Sequence, residues 1–404
     1  MSPTTAQLVV RFGEPFLARY LAEHGTASPL GLWLLLALVA PLADGPARAE
    51  LEDVLGTDAD DAARRAGELV AGPHPAVASA LAVWAQQALL DRDRFDAWAA
   101  ALPPAAEAGP VPSRADADRW VAAHTNDLVR SFPVRVDAAT ALVLVSALAT
   151  RVSWLEPFDE VGAARLGGEF GARVTTALQA SPGRHESYLA QTQAAGLVGV
   201  QVAGSSDGLR VFSVIAAPEV APADVHGAAG EIAQGLARRA SLFDVPLGPG
   251  HAWEVTEAAE QGHGGPALRE SVGAVLPAWD AESSLDLAGA EGMAAAFATL
   301  GRLLRPEYRP GRFQARQVTV AAFSREGFEA ASVTAVAMRA GSAPEPVVVR
   351  HRRATIRFQR PYAVLAVATG SVPDVARGWG SVDLGVPAWE GVPVFGAWVA
   401  RPRP

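Results

Sequence analysis

One large domain of mixed helix and strand is what the 404 residues predict. Three observations carry this expectation. The N-terminal stretch shows helical periodicity. After Gly171 the pattern turns to short strands separated by Gly, Ser, Asp and Pro, and helix and strand then interleave to the end. No repeat, low-complexity linker or charge run marks a border, so residues 1–404 read as a single domain although the length alone would suit two or three.

The elements follow in order. Val9, Phe12, Phe16 and Tyr20 recur at helical spacing and give an amphipathic first helix despite Pro15. Ser28-Pro29 supplies an N-cap and a first-turn proline, and Leu30 to Ala40 reads as a helix buried nearly all round. A third helix over Pro46 to Leu55 stops at Gly56, and a fourth over Asp58 to Leu69 leads with acids and follows with arginines, as the helix dipole favours. Val77 to Leu90 suits either strand or helix. Asp116 to Phe132 reads as a helix anchored by Trp120 and ended by Pro133. Ala141 to Trp154 opens on Leu142-Val143-Leu144-Val145 and predicts a long central strand. Short strands are densest over Gly196 to Ala217. Ala281 to Leu304 returns to helix, and strand resumes from Gln317 to the end.

Composition narrows the function. Half of the residues are hydrophobic and the formal net charge is −9, which predicts a large core and an acidic surface. All 34 basic residues are arginine, a compositional bias of the source genome, and the only basic cluster is Arg350 with His351-Arg352-Arg353. Nucleic acid is therefore not an expected partner, because phosphate neutralisation needs a clustered positive face. With no cysteine there are no disulfides, thiol nucleophiles or thiolate metal sites. The eight histidines are scattered with no pair at metal-ligand spacing, so neither metal nor cofactor is expected. The longest apolar run, Leu30 to Ala40, falls short of the ~18–20 residues of a membrane span. Met1 to Ala22 lacks a charged start followed by an apolar block, which points to a cytoplasmic chain without excluding extracellular action.

The most informative segment lies near the C-terminus. The strand-like run Gln317 to Phe323 leads into Arg325-Glu326-Gly327-Phe328-Glu329-Ala330-Ala331-Ser332-Val333-Thr334. A proline-containing stretch follows, and then Ile356-Arg357-Phe358-Gln359-Arg360-Pro361-Tyr362-Ala363-Val364. On composition alone Glu326 to Arg339 suits a helix capped by Gly341 as well as it suits a strand. The order of segments closely resembles the hinge, reactive loop and C-terminal signature of the serpins. Four further stretches match that pattern in the correct order. They are Ser28-Pro29-Leu30 with Leu51-Glu52-Asp53-Val54-Leu55-Gly56, Trp120-Val121-Ala122-Ala123-His124-Thr125-Asn126, Leu142 to Ala147 through Trp154-Leu155-Glu156-Pro157-Phe158, and Leu276-Pro277-Ala278-Trp279 with Ser283-Ser284-Leu285-Asp286-Leu287.

The resemblance implies an α+β serpin-like fold, expected to be a bacterial member: three β-sheets, about eight or nine α-helices and an exposed reactive loop over about 325–355. It implies a monomeric inhibitor of a trypsin-, elastase- or subtilisin-like serine protease, in which the cleaved loop becomes a new strand of the main sheet. It places the hinge at Glu326 to Thr334 and the "shutter" and "breach" that govern sheet opening at Ser28, Ser146, Gln317 and Trp154. As a strand, the hinge would carry Phe328, Ala330, Ser332, Thr334, Val336 and Met338 on one mostly small or apolar face. Some ten to twelve added backbone hydrogen bonds at roughly 1 kcal/mol each would release on the order of 10 kcal/mol, so the native state would be held by a kinetic barrier.

The chain departs from the family in places. Phe328 stands where inhibitory relatives usually have threonine or serine, and overpacking there would cost about 1–3 kcal/mol. Gly31, Ser146 and Gln317 stand where serine, asparagine and histidine are common, and Tyr362 and Ala363 are milder changes. These departures support a second reading, a non-inhibitory serpin that binds or chaperones. Family spacing counted forward from Gly327 puts the scissile bond at Gly341-Ser342, whereas counting back from Arg360-Pro361 gives Arg350-His351.

A third reading is a serine hydrolase. Gly204-Ser205-Ser206-Asp207-Gly208 fits the G-x-S-x-G elbow with Ser206 as nucleophile, and Gly262-His263-Gly264-Gly265 has the composition of an oxyanion loop. An elbow needs a helix after the serine, but Leu209-Arg210-Val211-Phe212 is strand-like, so a hairpin turn is expected. There is no lysine for a P-loop, and the sequence gives no enzyme.

Overall fold

Local signals set the first helices. The computed structural model describes residues 2–103, 106–125, 127–132, 140–263, 268–308, 312–328, 346–374 and 380–403. In α1 (Thr5–Tyr20), Thr4 and Gln7 form a reciprocal capping box, and Val9, Phe12 and Phe16 lie on the buried face. In α2 (Pro29–Val39), the Ser28 side chain accepts from the Gly31 amide and every residue is buried, so this helix is the axis of the core. α3 (Gly45–Leu55) stops at Gly56, and α4 (Ala59–Ala71) is capped by Asp58 with Asp60 and Asp61 in its first turn. The remaining helices are α5 (Arg92–Ala101), α6 (Arg114–His124), the short α7 (Gly168–Gly171), α8 (Pro222–Ala233) and α9 (Met293–Leu300).

Helix α2 packs between β23 (Pro393–Val399) of one complete sheet and β4 (Thr140–Ala149) of a split one, and a second complete sheet lies apart from it. The first complete sheet runs in the order β1 (Gly25–Ala27), β23 (Pro393–Val399), β20 (Tyr362–Ala368), β10 (Leu209–Ile215), β9 (Gly196–Gly204), β8 (Glu186–Thr192) and β11 (Arg238–Arg239). It is antiparallel throughout, and all seven residues of β20 and of β23 are buried. The other runs β12 (Gly248–Pro249), β13 (Trp253–His263), β19 (Pro346–Arg357), β14 (Leu268–Leu276), β7 (Thr176–Ala180) and β6 (Asp159–Gly162).

The third sheet is in two pieces. β16 (Arg312–Gln314), β4 (Thr140–Ala149), β2 (Ala78–Ala85) and β3 (Ala106–Pro110) form one, and β15 (Trp279–Asp286) pairs with β17 (Arg316–Phe323) to form the other. Two short pairs complete the set, β5 (Val152–Ser153) with β18 (Gly327–Phe328) and β21 (Ser371–Pro373) with β22 (Ser381–Asp383). Two whole sheets, a third that is split, and nine α-helices among the described residues match the expected α+β architecture.

Three expectations change in detail. The ambiguous stretch Val77 to Leu90 is strand over Ala78–Ala85, β2, placed between β3 and β4 where a helix could not pair, and then a single 3-10 turn over Gln87–Leu89. The helix expected over Asp116 to Phe132 ends at His124, because the Thr125 hydroxyl donates back to the Val121 carbonyl and Asp127 takes a φ of 60°. Ala281 to Leu304 is not helical throughout. Ala281 to Asp286 belongs to β15, paired in antiparallel register with the whole of β17, and α-helix is confined to Met293–Leu300, followed by a 3-10 turn over Gly301–Leu303. Ladder pairing with β17 fixes Ala281 to Asp286 as strand, and the helix preference of the alanines takes over only from Met293.

Candidate functional site

β4 and the chain β16–β17 run parallel, joined at one end only. Arg312 pairs with Thr140, Phe313 with Leu142 and Gln314 with Val143. Beyond Gln314 the chain pairs with β15 instead, while β4 stays with β2. Among the described residues, β4 after Val143 and β17 share no ladder. Two strand edges therefore face one another, each with N–H and C=O groups that a further strand could satisfy. Side chains alternate across both edges. Leu144 and Leu148 join the main core, whereas Val143, Val145 and Ala147 pack with Val318 and Val320 under α6 and the segment after it, including Val121, Val129 and Phe132. Helix α6 thus lies over the opening.

Below the opening, β17 is fastened to the start of α2. The Gln317 amide accepts from the Ser28 backbone N–H at 2.7 Å and donates to the Ser28 carbonyl at 2.8 Å. The Ser28 hydroxyl donates to the Val394 carbonyl at 2.6 Å, and the Thr319 hydroxyl to the Thr26 carbonyl at 2.7 Å. Ser28, Gln317 and Thr319 are all buried. Gly31 is needed here, because a Cβ would lie 2.9 Å from the Ser146 hydroxyl and 3.1 Å from the Gln317 amide nitrogen. The structure thus brings Ser28, Ser146 and Gln317 together around the N-terminus of α2.

Above the opening stands Trp154, 5% exposed. Its indole donates to the Ser324 carbonyl at 3.0 Å, its backbone N–H to the Glu326 carbonyl at 3.0 Å, and the Phe158 N–H to the Arg325 carbonyl at 2.9 Å. Trp154, Phe158 and Phe323 form an aromatic group with ring centroids 5.0–6.3 Å apart. His185 stacks on Phe158 at 4.6 Å, and burial lowers its pKa. Gly327 then pairs with Ser153 and Phe328 with Val152. A Cβ on Gly327 would come within 2.2 Å of the Val152 carbonyl oxygen, so only glycine lets the two backbones approach so closely. Sequence reasoning singled out Trp154 and Gly327. It missed the roles of Thr319 and His185, which carry no local pattern.

Of the other expected site residues, Glu329 to Thr334, Gly341 and Ser342 lie outside the described residues. Arg350 and His351 require a correction. They sit inside β19, where Arg350 pairs with Ala259 on one side and Leu268 on the other, and His351 with Ala258 and Arg269. A peptide bond fixed in the middle of a sheet cannot enter a protease cleft, so it is not a loop bond in this structure. The hydrolase elbow fails as well. Ser205 to Asp207 lie in the turn of the β9–β10 hairpin, β10 rather than a helix follows, and the Ser206 hydroxyl donates to the neighbouring Asp207 carboxylate at 3.4 Å. No group of three or more His, Cys, Asp or Glu that could hold a metal occurs among the described residues. No helix among them is long and apolar enough to cross a membrane.

The sheets and the opening reproduce a known architecture. Residues 18–164 match the family model for serpins, described as serine protease inhibitors. The chain has the serpin fold. Solved structures of the same fold include thyroxine-binding globulin in complex with thyroxine, at a TM-score of 0.64 and 13% identity with 99% of each chain covered. A second is Serpin48 of the insect Tenebrio molitor, described as a highly specific serpin, at 0.59 and 14% with 98% of this chain and 97% of that one covered. A third is the thermophilic serpin tengpin in its native state, at 0.62 and 14% with 98% and 92% covered. At these identities the likeness is one of fold. No curated protein matches the chain.

Proposed function

We propose that this serpin traps a serine protease by letting its cleaved loop enter the opening between β4 and β17. The observation that carries this reading is the pair of facing strand edges that have no ladder partner among the described residues, with the hinge Gly327–Phe328 leading away from the top of β17. The protease serine attacks the loop and forms an acyl-enzyme. Residues from Gly327 onward then add a strand, with Ala330, Ser332 and Thr334 entering on the inner face. About ten new ladder bonds at roughly 1 kcal/mol each drive the step. The inhibitor works as a monomer and supplies no catalytic group. With Arg350-His351 held in β19, Gly341-Ser342 is the scissile bond we propose, and Ala340-Gly341 before the cut suits an elastase- or subtilisin-like enzyme.

A non-inhibitory binding role is the second reading. It is favoured by the double hydrogen bond of Gln317 to the Ser28 backbone, which opposes parting of β17 from the core. Denaturing gels after incubation with trypsin-, elastase- and subtilisin-like proteases separate the two. A covalent band at the summed mass, with a released peptide that begins at Ser342, is the expected result. Clean loop cleavage with every protease still active would overturn inhibition of these classes.

A further inference from the structure

Beyond Glu186, the first residue of β8, the strand β9 continues with a different neighbour. Trp154 forms a bridge with Ser205, and the Leu155 N–H donates to the Gly204 carbonyl at 2.8 Å. On the other side of β9, Arg210 pairs with Gly204. These segments and the start of β21 enclose a cleft of about 270 Å³. Gly204 leaves its floor without a side chain, and Leu155, Leu209 and Val372 make its middle apolar. Drug-sized sites run to about 300–1,000 Å³, so this cleft suits a ligand of one or two residues.

The two ends of the cleft carry opposite charge. At one, Arg184 lies 3.2 Å from Asp159 and 3.5 Å from Glu156, a single cation for two carboxylates. At the other, Glu186 binds Arg210 at 3.1 Å and also Arg239, two cations for a single carboxylate. Glu156 and Arg210 are half-exposed, so each can take a further partner. They stand on segments flanking β9, two inter-strand spacings or about 10 Å apart at the backbone. A ligand that meets both needs an ammonium and a carboxylate at its two ends and an apolar body between them. A free amino acid is short for this, with its charged groups only about 2.5 Å apart, and a second residue adds about 3.8 Å. We propose that the cleft is a binding site for a short apolar peptide with both ends free, its ammonium at Glu156 and its carboxylate on the guanidinium fork of Arg210. The cleft shares a wall with the aromatic group around Trp154, because His185 lines it and stacks on Phe158. A bound peptide therefore braces Trp154 and Leu155. The site stands independently of the insertion reading above.

Calorimetry on the full chain with the dipeptide leucylphenylalanine, its N-acetyl form and its C-terminal amide tests the site. The free dipeptide should bind, and each blocked form should bind about tenfold more weakly, because one charged contact is lost. In Arg210→Gln the free dipeptide should weaken by a similar factor, whereas the amide, which offers no carboxylate, should bind as it does to the native chain. Glu156→Gln should act in the same way, with the N-acetyl form as the insensitive ligand. Adding the free dipeptide to the native chain should also slow exchange of the Trp154 and Leu155 amides. Equal affinity for the three forms would overturn the site, and so would variants that weaken all three alike. No binding up to about 10 mM would overturn it as well.

Discussion

The two stems of the loop are built in opposite ways. The leading stem, β18, has a ladder only with Val152 and Ser153 of β5 among the described residues, and the glycine at its start is the one residue type that fits against the Val152 carbonyl. The trailing stem, β19, is paired on both sides and crossed by ion pairs on both faces. A strand held by one or two pairs can leave its neighbour at little cost, whereas one held on both edges must break many bonds together. This asymmetry fixes a direction. On the insertion reading proposed above, strand entry would begin at Gly327, beside two edges that share no ladder among the described residues, while β19 would keep its partners.

The comparison can be broken at several points. The largest effect should follow cutting of the loop, because the leading stem is then free to run down the opening. Melting temperature should rise by on the order of 10–20 °C, from roughly ten ladder bonds at about 1 kcal/mol each. Cutting without that rise would leave the two stems equivalent. Next comes Trp154→Ala, which removes the indole that holds Ser324 and packs on Phe323. It should cost about 3–5 kcal/mol in urea unfolding and speed exchange of the Glu326–Phe328 amides, with β19 unaffected.

A third change acts on neither stem and serves as the reference. His226 of α8 is buried with its Nε2 unpartnered; burial lowers its pKa from 6.5 to about 4, against a hydrogen bond to the Leu21 backbone. The unfolded chain takes up this proton below about pH 6.5 and the native chain only near 4. Stability is therefore lost as pH falls through that window, by about 3 kcal/mol in all. In His226→Gln, unfolding midpoints at pH 7 and pH 4 should differ by that much less than in the native chain. The smallest effect is expected for Gln317→Ala, which leaves the Ser28 N–H and carbonyl without partners. It should lower stability by about 1–3 kcal/mol and hasten strand entry after cleavage, read as faster gain of heat resistance.

The leading stem was legible in the sequence and the trailing stem was not. Ser28-Pro29 ahead of an apolar run, the β-rich Leu142 to Val145, and Gly327 after a strand each carry a local signal, and the structure brings Ser28, Ser146, Gln317 and Trp154 to the opening between β4 and β17. Nothing local announces the ion pairs between β13 and β19. Arg350-His351-Arg352-Arg353 looks like a solvated loop because four basic groups in a row suit an exposed surface. In the fold, alternation sends Arg350 and Arg352 to one carboxylate and His351 and Arg353 to another. Glu254, Glu257 and Glu260 are spaced as on one side of a helix, yet as a strand they serve opposite faces. Only the register with a segment almost a hundred residues away pairs them with cations, and a register that distant is not written in either segment alone. The strand Ala281 to Asp286 was missed for the same reason, since its partner β17 comes thirty residues later.

Amide exchange along the two facing edges, before and after the loop is nicked, tests the central claim most directly. In the intact chain the free-edge amides of Val145–Ala149 and Gln317–Phe323 should exchange faster than those of β2 and β15. After nicking they should become protected along both edges together, while Pro346–Arg357 stays as it was. Edges that exchange alike before and after the cut would contradict the account, because the opening would then not be the place the loop goes.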